Sequence, residues 1–207
     1  MHDTHERTVF GFPPAVAACV LACGITFCFS GDMVVERQNQ NGEVEPVTVS
    51  ELKRNDTIRT LDHSDLTQKK WTKVTIAAEI HGKHSFLRFH LENSTNVFEV
   101  TNIHVLMEYV ENEDGEIDFK LKHAQYFEIG QQFLFNGVPS SISKIEEFNA
   151  PVKYDINTEE GSLTVNGVFT TGVCELNVSQ MTDLMEAKKS WYEFLFDYKK
   201  SHSFLKN

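Results

Sequence analysis

A cysteine at the mouth of a β-rich stretch can attack the carbonyl of the residue before it. Cys28, in Phe27-Cys28-Phe29-Ser30-Gly31-Asp32, stands at such a place. Attack on the Phe27 carbonyl moves the acyl group from nitrogen to sulfur, turning an amide into a thioester that a second nucleophile can cleave. The shift is uphill unless the leaving nitrogen takes a proton. The site therefore needs a donor aimed at the Cys28 nitrogen and a fold that holds the peptide. Thr101-Asn102-Ile103-His104 offers both. A spacing of three, where a strand ends and a turn begins, lets two side chains meet one peptide group. His104 would be the donor, suited to it by an ordinary pKa near neutrality. Thr101 would hold the same group by a hydrogen bond. Taken alone, Thr-x-x-His also describes a satisfied, half-buried strand histidine.

The elements that must position these residues are short strands. From Met33 on, MVVER, VTVSEL, TIRTL, KVTIAAEI, SFLRFHL, VFEVT and HVLMEYV are rich in β-branched and aromatic residues, several with period-two alternation. Turn signals separate them at Asn41-Gly42, Arg54-Asn55-Asp56, His81-Gly82, Glu92-Asn93-Ser94 and Glu113-Asp114-Gly115. QQFLFNG, SSISKIEEF and SLTVNGVF continue the pattern, so the expected class is mainly β. The two halves echo each other. Residues 52–58 share an outline with 127–133, the β-run 74–80 with 142–148, and 98–101 with 163–166. Three echoes in one order predict two pseudo-symmetric β subdomains.

Bulk properties narrow the function classes. A formal charge of −11 would be repelled by phosphate backbones, which argues against nucleic acid as a partner. With 41% hydrophobic residues the chain can build a sizeable core. Cys19, Cys23 and Cys28 crowd one segment and Cys174 stands alone, a spacing that suits neither a disulfide scaffold nor a zinc ribbon. Residues 9–29 carry no charge, and Pro13 and Pro14 confine a helix there to about 15–27. That length suits a signal-peptide core better than a membrane span; the alternative is a linker or strand from a longer precursor. A secreted or secretory-pathway protein is the expectation, with which the sequons at Asn55, Asn93 and Asn177 agree. From Ser179, apolar residues recur at helical spacing through Tyr198, predicting a C-terminal helix packed on the β-body. The aromatic concentration at 189–198, like the apolar stretch 9–29, is a candidate for membrane association.

Cys28-Phe29-Ser30-Gly31-Asp32, Thr101-x-x-His104 and Gly161-Ser162-Leu163-Thr164-Val165-Asn166-Gly167-Val168 occur in order. Together they resemble the start, middle and end blocks of the Hint (hedgehog/intein) domain, closest to the hedgehog C-terminal autoprocessing domain and hedgehog-related proteins. Residues 47–58 also resemble that family's early turn-and-strand block. The resemblance implies a pseudo-twofold all-β fold, with residues 1–27 ahead of it, a Hint domain over 28–177 and a tail over 178–207. It implies self-cleavage of the Phe27–Cys28 bond by Cys28, Thr101 and His104, with the chain's own N-terminal segment as substrate and no cofactor. No terminal Asn followed by a nucleophile closes the domain, which argues against splicing. Hedgehog proteins resolve the thioester with a sterol, so a sterol or other lipid is the implied second nucleophile. The acid that would activate it falls near Glu79 and His81, neither of them the expected Asp. The family's late Ser-Cys would fall near Thr171-Gly172, and Cys174, two residues beyond, is an accessory thiol or a small core residue. Phe27 replaces the usual Gly, and Ser30 the usual Pro.

Two other readings remain open. One is a secreted Hint-derived interaction domain that keeps the fold without the activity. The other is a metal-binding β domain seeded by His81-x-x-His84, with His90, His104 and Cys174 as further ligands.

Overall fold

The computed structural model describes residues 28–92, 94–111 and 117–172. Phe27, Cys174, the apolar segment before Cys28 and the helix expected after Ser179 lie outside them. The described residues form strands β1 (Val34–Gln38), β2 (Val44–Thr48), β3 (Thr57–Asp62), β4 (Asp65–Leu91), β5 (Val97–Thr101) and β6 (Val105–Glu111). They continue as β7 (Ile117–His123), β8 (Gln132–Phe135), β9 (Val138–Thr158), β10 (Ser162–Val165) and β11 (Val168–Thr171). Single 3-10 turns at Val49–Glu51 and Ala124–Tyr126 follow the β1–β2 and β6–β7 hairpins. The sheet runs β10-β11-β8-β9-β4-β3-β1-β2, with β5 on β4 and the β6–β7 hairpin on β8.

The expected mainly β, pseudo-twofold class is what the chain adopts. Each half runs through a hairpin, a 3-10 turn, a short strand, a very long strand and a closing strand, in that order, and the second half adds β11 after its closing strand β10. The sequence echo has a physical basis in the turns. Leu52 and Phe127 are the buried apolar residues that leave the two 3-10 turns. Asn55 (φ 74) and Gly130 (φ 91) then take the left-handed conformation that Asn and Gly tolerate best. Asn55 N donates to Val74 O and Gly130 N to Ile142 O, both at 2.8 Å, so each short strand begins on its long strand in the same way.

His81-Gly82 departs from the expected turn. β4 passes through it as one strand of 27 residues, because β9 pairs with β4 on both sides of that point. The register shifts between His81 and His84, and Gly82 at φ +150 absorbs the bulge. The register also shifts between Val74 and Ile76 and between His90 and Leu91, and the ribbon joins the halves by pairing β4 with β3 and β9 with β8. Asn136-Gly137 and Asn166-Gly167, all at positive φ, close the β8–β9 and β10–β11 hairpins with the handedness that twisted strands require.

The core lies at the junction of the halves. Phe89, Phe98, Phe127 and Phe133 are all buried, with Phe133 in edge contact with Phe89 (5.4 Å between centroids) and Phe98 (5.7 Å). Each comes from a different strand or turn. Truncating one to Ala is expected to cost about 3–5 kcal/mol. Phe29, Val100 and Leu163 belong to the same cluster, which ties the segment after Cys28 to the interior.

Candidate functional site

Cys28 enters the fold between two strands. Phe29 exchanges both backbone hydrogen bonds with Tyr154 of β9, at 2.9 and 3.0 Å, and bridges Val100 of β5 on its other side. Along β5, Ser30 N donates to Glu99 O at 3.3 Å and Thr101 N to Cys28 O at 2.9 Å. A regular antiparallel ladder would add Cys28 N donating to Thr101 O. That carbonyl is engaged elsewhere: it accepts from His104 N at 2.9 Å and closes the turn 101–104. Cys28 N donates instead to the Thr101 hydroxyl, at 3.2 Å. The nitrogen of the Phe27–Cys28 bond is therefore held by a side chain. A residue without a hydroxyl at 101 would leave a buried N–H without that acceptor.

The turn carries His104 back over the same spot. His104 is 1% exposed, its ring packs against Phe29 with 4.7 Å between centroids, and it lies close enough to the Cys28 backbone for that backbone to bear on its pKa. On the far side, Nε2 lies 3.3 Å from Thr171 O and 3.4 Å from Thr171 Oγ1. Cys28, Thr101 and His104 thus meet at one buried place, although 73 residues separate Cys28 from Thr101. The neutral-range pKa expected for His104 is not what its surroundings give. Burial pulls it down to about 4, against hydrogen bonds to the Thr171 and Cys28 backbones that act the other way, and nearby His123 lowers it further.

Pleating sorts the remaining candidates. Because Phe29 faces Tyr154, Cys28 stands level with Asp155, and Asp155 in turn pairs with Ala78 of β4. Thr101, Cys28 and Asp155 therefore form a row on one face, and Asp155 is 2% exposed. Glu79 pairs with Tyr154, so Glu79 and His81 project from the opposite face. They contact each other at 2.9 Å, with His81 largely exposed. The acid that shares the Cys28 row comes from β9, not from the β4 positions the sequence pointed to. Asp155 and Thr171 are the two site residues the sequence reading did not assign. Thr171 had a signal, since the resemblance to the family put its late Ser-Cys near Thr171-Gly172. Asp155 had only its charge within the strand-like run Lys153-Tyr154-Asp155-Ile156.

The histidines proposed as metal ligands have separate partners. His84 Nε2 meets Ile80 O at 3.1 Å, His90 meets Glu146 at 2.6 Å, and His104 meets Thr171. Among the described residues no group of three or more His, Cys, Asp or Glu is arranged to hold a metal ion. A cleft of about 360 Å³ lined by Val34, Arg59, Lys69, Asn136 and Thr164 lies apart from Cys28, Thr101 and His104, none of which lines it.

Comparison with known structures gives the same architecture. An intein from a hyperthermophile superposes with a TM-score of 0.58 at 17% identity, over 70% of this chain and 99% of its own. The DnaB intein from Synechocystis sp. PCC 6803 gives 0.55 at 13% identity, over 73% of this chain and all (100%) of its own. The bacterial intein-like domain from Clostridium thermocellum gives 0.54 at 13% identity, over 70% and 97%. At such identities the likeness is one of fold. Comparison with curated proteins gives no match. The narrower hedgehog kinship rests on the sequence blocks alone. The profile of the Hint module matches residues 17–203, and on that match the chain belongs to the Hint family.

Proposed function

We propose that this domain cleaves its own Phe27–Cys28 bond through a thioester. The observation that carries the reading is the treatment of the Cys28 nitrogen. The Thr101 hydroxyl holds it where the ladder carbonyl has been diverted, and a buried histidine lies against the same backbone. With a pKa near 4, His104 is neutral at physiological pH and is a poor standing acid. It suits a relay. The Cys28 thiol gives its proton to the ring as Sγ attacks the Phe27 carbonyl carbon. The carbon–nitrogen bond breaks, and the ring passes the proton to the departing Cys28 nitrogen. The products are a thioester on Cys28 Sγ and a free amine on the same residue. Thr101 steadies the nitrogen throughout.

A second nucleophile then releases the N-terminal segment. Asp155, level with Cys28, is the carboxylate best placed to assist it. Water needs no dedicated site and is the default. The hedgehog resemblance suggests a lipid alcohol, which would also suit a secreted protein with apolar segments at 9–29 and 189–198.

The test is the intact mass of the whole chain with and without dithiothreitol. The thiol should release a peptide ending at Phe27, and Cys28→Ala should abolish its release. Release from Cys28→Ala at the wild-type rate would overturn the thioester route. Adding cholesterol to the same reaction decides the second step. A released peptide heavier by one sterol supports lipid transfer, and an unmodified acid supports hydrolysis.

A further inference from the structure

Thr171 is 1% exposed, and its hydroxyl has one proton to give. It gives it to Val105 O at 2.5 Å, so toward His104 Nε2, 3.4 Å away, it can offer only a lone pair. The Thr171 carbonyl, 3.3 Å from the same nitrogen, is also only an acceptor. Two acceptors converging on Nε2 require the hydrogen to be there, and a neutral imidazole then keeps its other nitrogen, Nδ1, unprotonated. The backbone is arranged to hold this geometry. A Cβ on Gly172 would stand 2.9 Å from Leu163 Cδ2 and 3.2 Å from Ile156 O, so glycine lets the chain run close against β9 immediately after Thr171. Gly172 N donates to Gly161 O at 2.9 Å and pins the end of β11.

We propose that Thr171 is a positioning residue that fixes His104 as the Nε2–H tautomer, leaving Nδ1 as the basic atom of the cleavage reaction. The role deepens the self-cleavage reading and rests on it, but the tautomer exists whether or not the bond is cut. Thr171 touches neither the scissile bond nor the nucleophile in this account. It acts through the ring, by telling it which nitrogen may accept a proton.

Nitrogen-15 NMR of the histidine-labelled whole chain at neutral pH reads the tautomer directly. The wild type should show His104 protonated on Nε2. Thr171→Val keeps the shape and removes the hydroxyl, freeing Val105 O and deleting one of the two acceptors. It should raise the Nδ1–H fraction and slow thiol-induced cleavage by about tenfold, the equivalent of one hydrogen bond. Thr171→Ser restores the hydroxyl and should recover both the tautomer and most of the rate. A wild-type His104 protonated on Nδ1 would overturn the proposal outright, even if Thr171→Val failed to fold. So would a folded Thr171→Val protein with unchanged tautomer and rate. A wild type that is Nε2–H yet never cleaves with thiol would sink the self-cleavage reading while leaving the tautomer assignment standing.

Discussion

Gly31 and Asn102 occupy equivalent turns in the two halves of the molecule. Gly31 O accepts from Ser50 N at 3.1 Å, and Asn102 O accepts from Gln125 N at 2.8 Å, in each case on the 3-10 turn after the half's own hairpin. Two residues on, Met33 O accepts from Val49 N at 2.8 Å and His104 O from Ala124 N at 2.7 Å. The backbones solve the same problem in the same way, and Phe29 and Val100 face each other where the halves meet. The side chains at the matched position differ. Met33 is 2% exposed and its sulfur receives Glu99 N at 3.0 Å. His104 is 1% exposed and receives nothing so undemanding, since an imidazole needs partners on its nitrogens. The fold asks only for a buried side chain of that size. The histidine in the second half is therefore a departure from what packing requires, and departures of that kind mark function.

The largest test of that comparison is to make the halves alike. His104→Met should fill the site with the group that its counterpart tolerates, keep the fold, and reduce thiol-induced release by about a hundredfold or more, the usual loss for an acid–base group. Met33→Leu, the control in the other half, should leave the rate within a few-fold of wild type. Comparable losses from both would mean the two positions serve packing alone.

Acid sharpens the comparison next. His104 titrates near 4 when folded and near 6.5 when unfolded, so the unfolded chain binds more protons as pH falls between those values. Stability contributed by the neutral buried ring is therefore full above about pH 6.5 and lost progressively toward pH 4. Between about pH 7 and about pH 5 the loss amounts to roughly 2 kcal/mol. Urea unfolding of wild type and His104→Met at the two pH values measures it. The difference between the proteins should shift by that amount, and a shift near zero would mean the ring is not held neutral by burial.

The smallest effects belong to the matched left-handed turns. Asn55 and Gly130 occupy the same place with φ 74 and φ 91. Gly130→Ala should cost about 1 kcal/mol, and Gly130→Asn, which copies the other half, clearly less. Equal losses in thermal unfolding would mean that the turns only look alike.

Much of this arrangement could be read from the sequence. The strand runs, the turn residues at 54–56 and the ordered echo of 52–58 in 127–133 are local signals, and the fold keeps them because each half repeats the same local solution. Cys28 and the Thr101-x-x-His104 turn stood out only as ordered blocks that resemble the Hint family's, since Thr-x-x-His by itself also describes a half-buried strand histidine. Local signals misled at His81-Gly82, where a glycine that reads as a turn sits in a bulge. What overrode it was pairing with β9, more than 60 residues away in the chain.

Residue types and their order along the chain determined the class of fold and its internal repeat, and singled out Cys28 and His104 as the candidate nucleophile and its histidine. Tertiary structure alone decided how those residues are held. It turned the Thr101 carbonyl into the turn 101–104, where it accepts from His104 N, and left Cys28 N to the Thr101 hydroxyl. It brought Asp155, not Glu79 or His81, level with Cys28, because alternate residues on paired strands face opposite sides. It also buried His104, and burial moved the pKa of that histidine from neutrality to about 4, since a charged imidazole is costly where water cannot reach it.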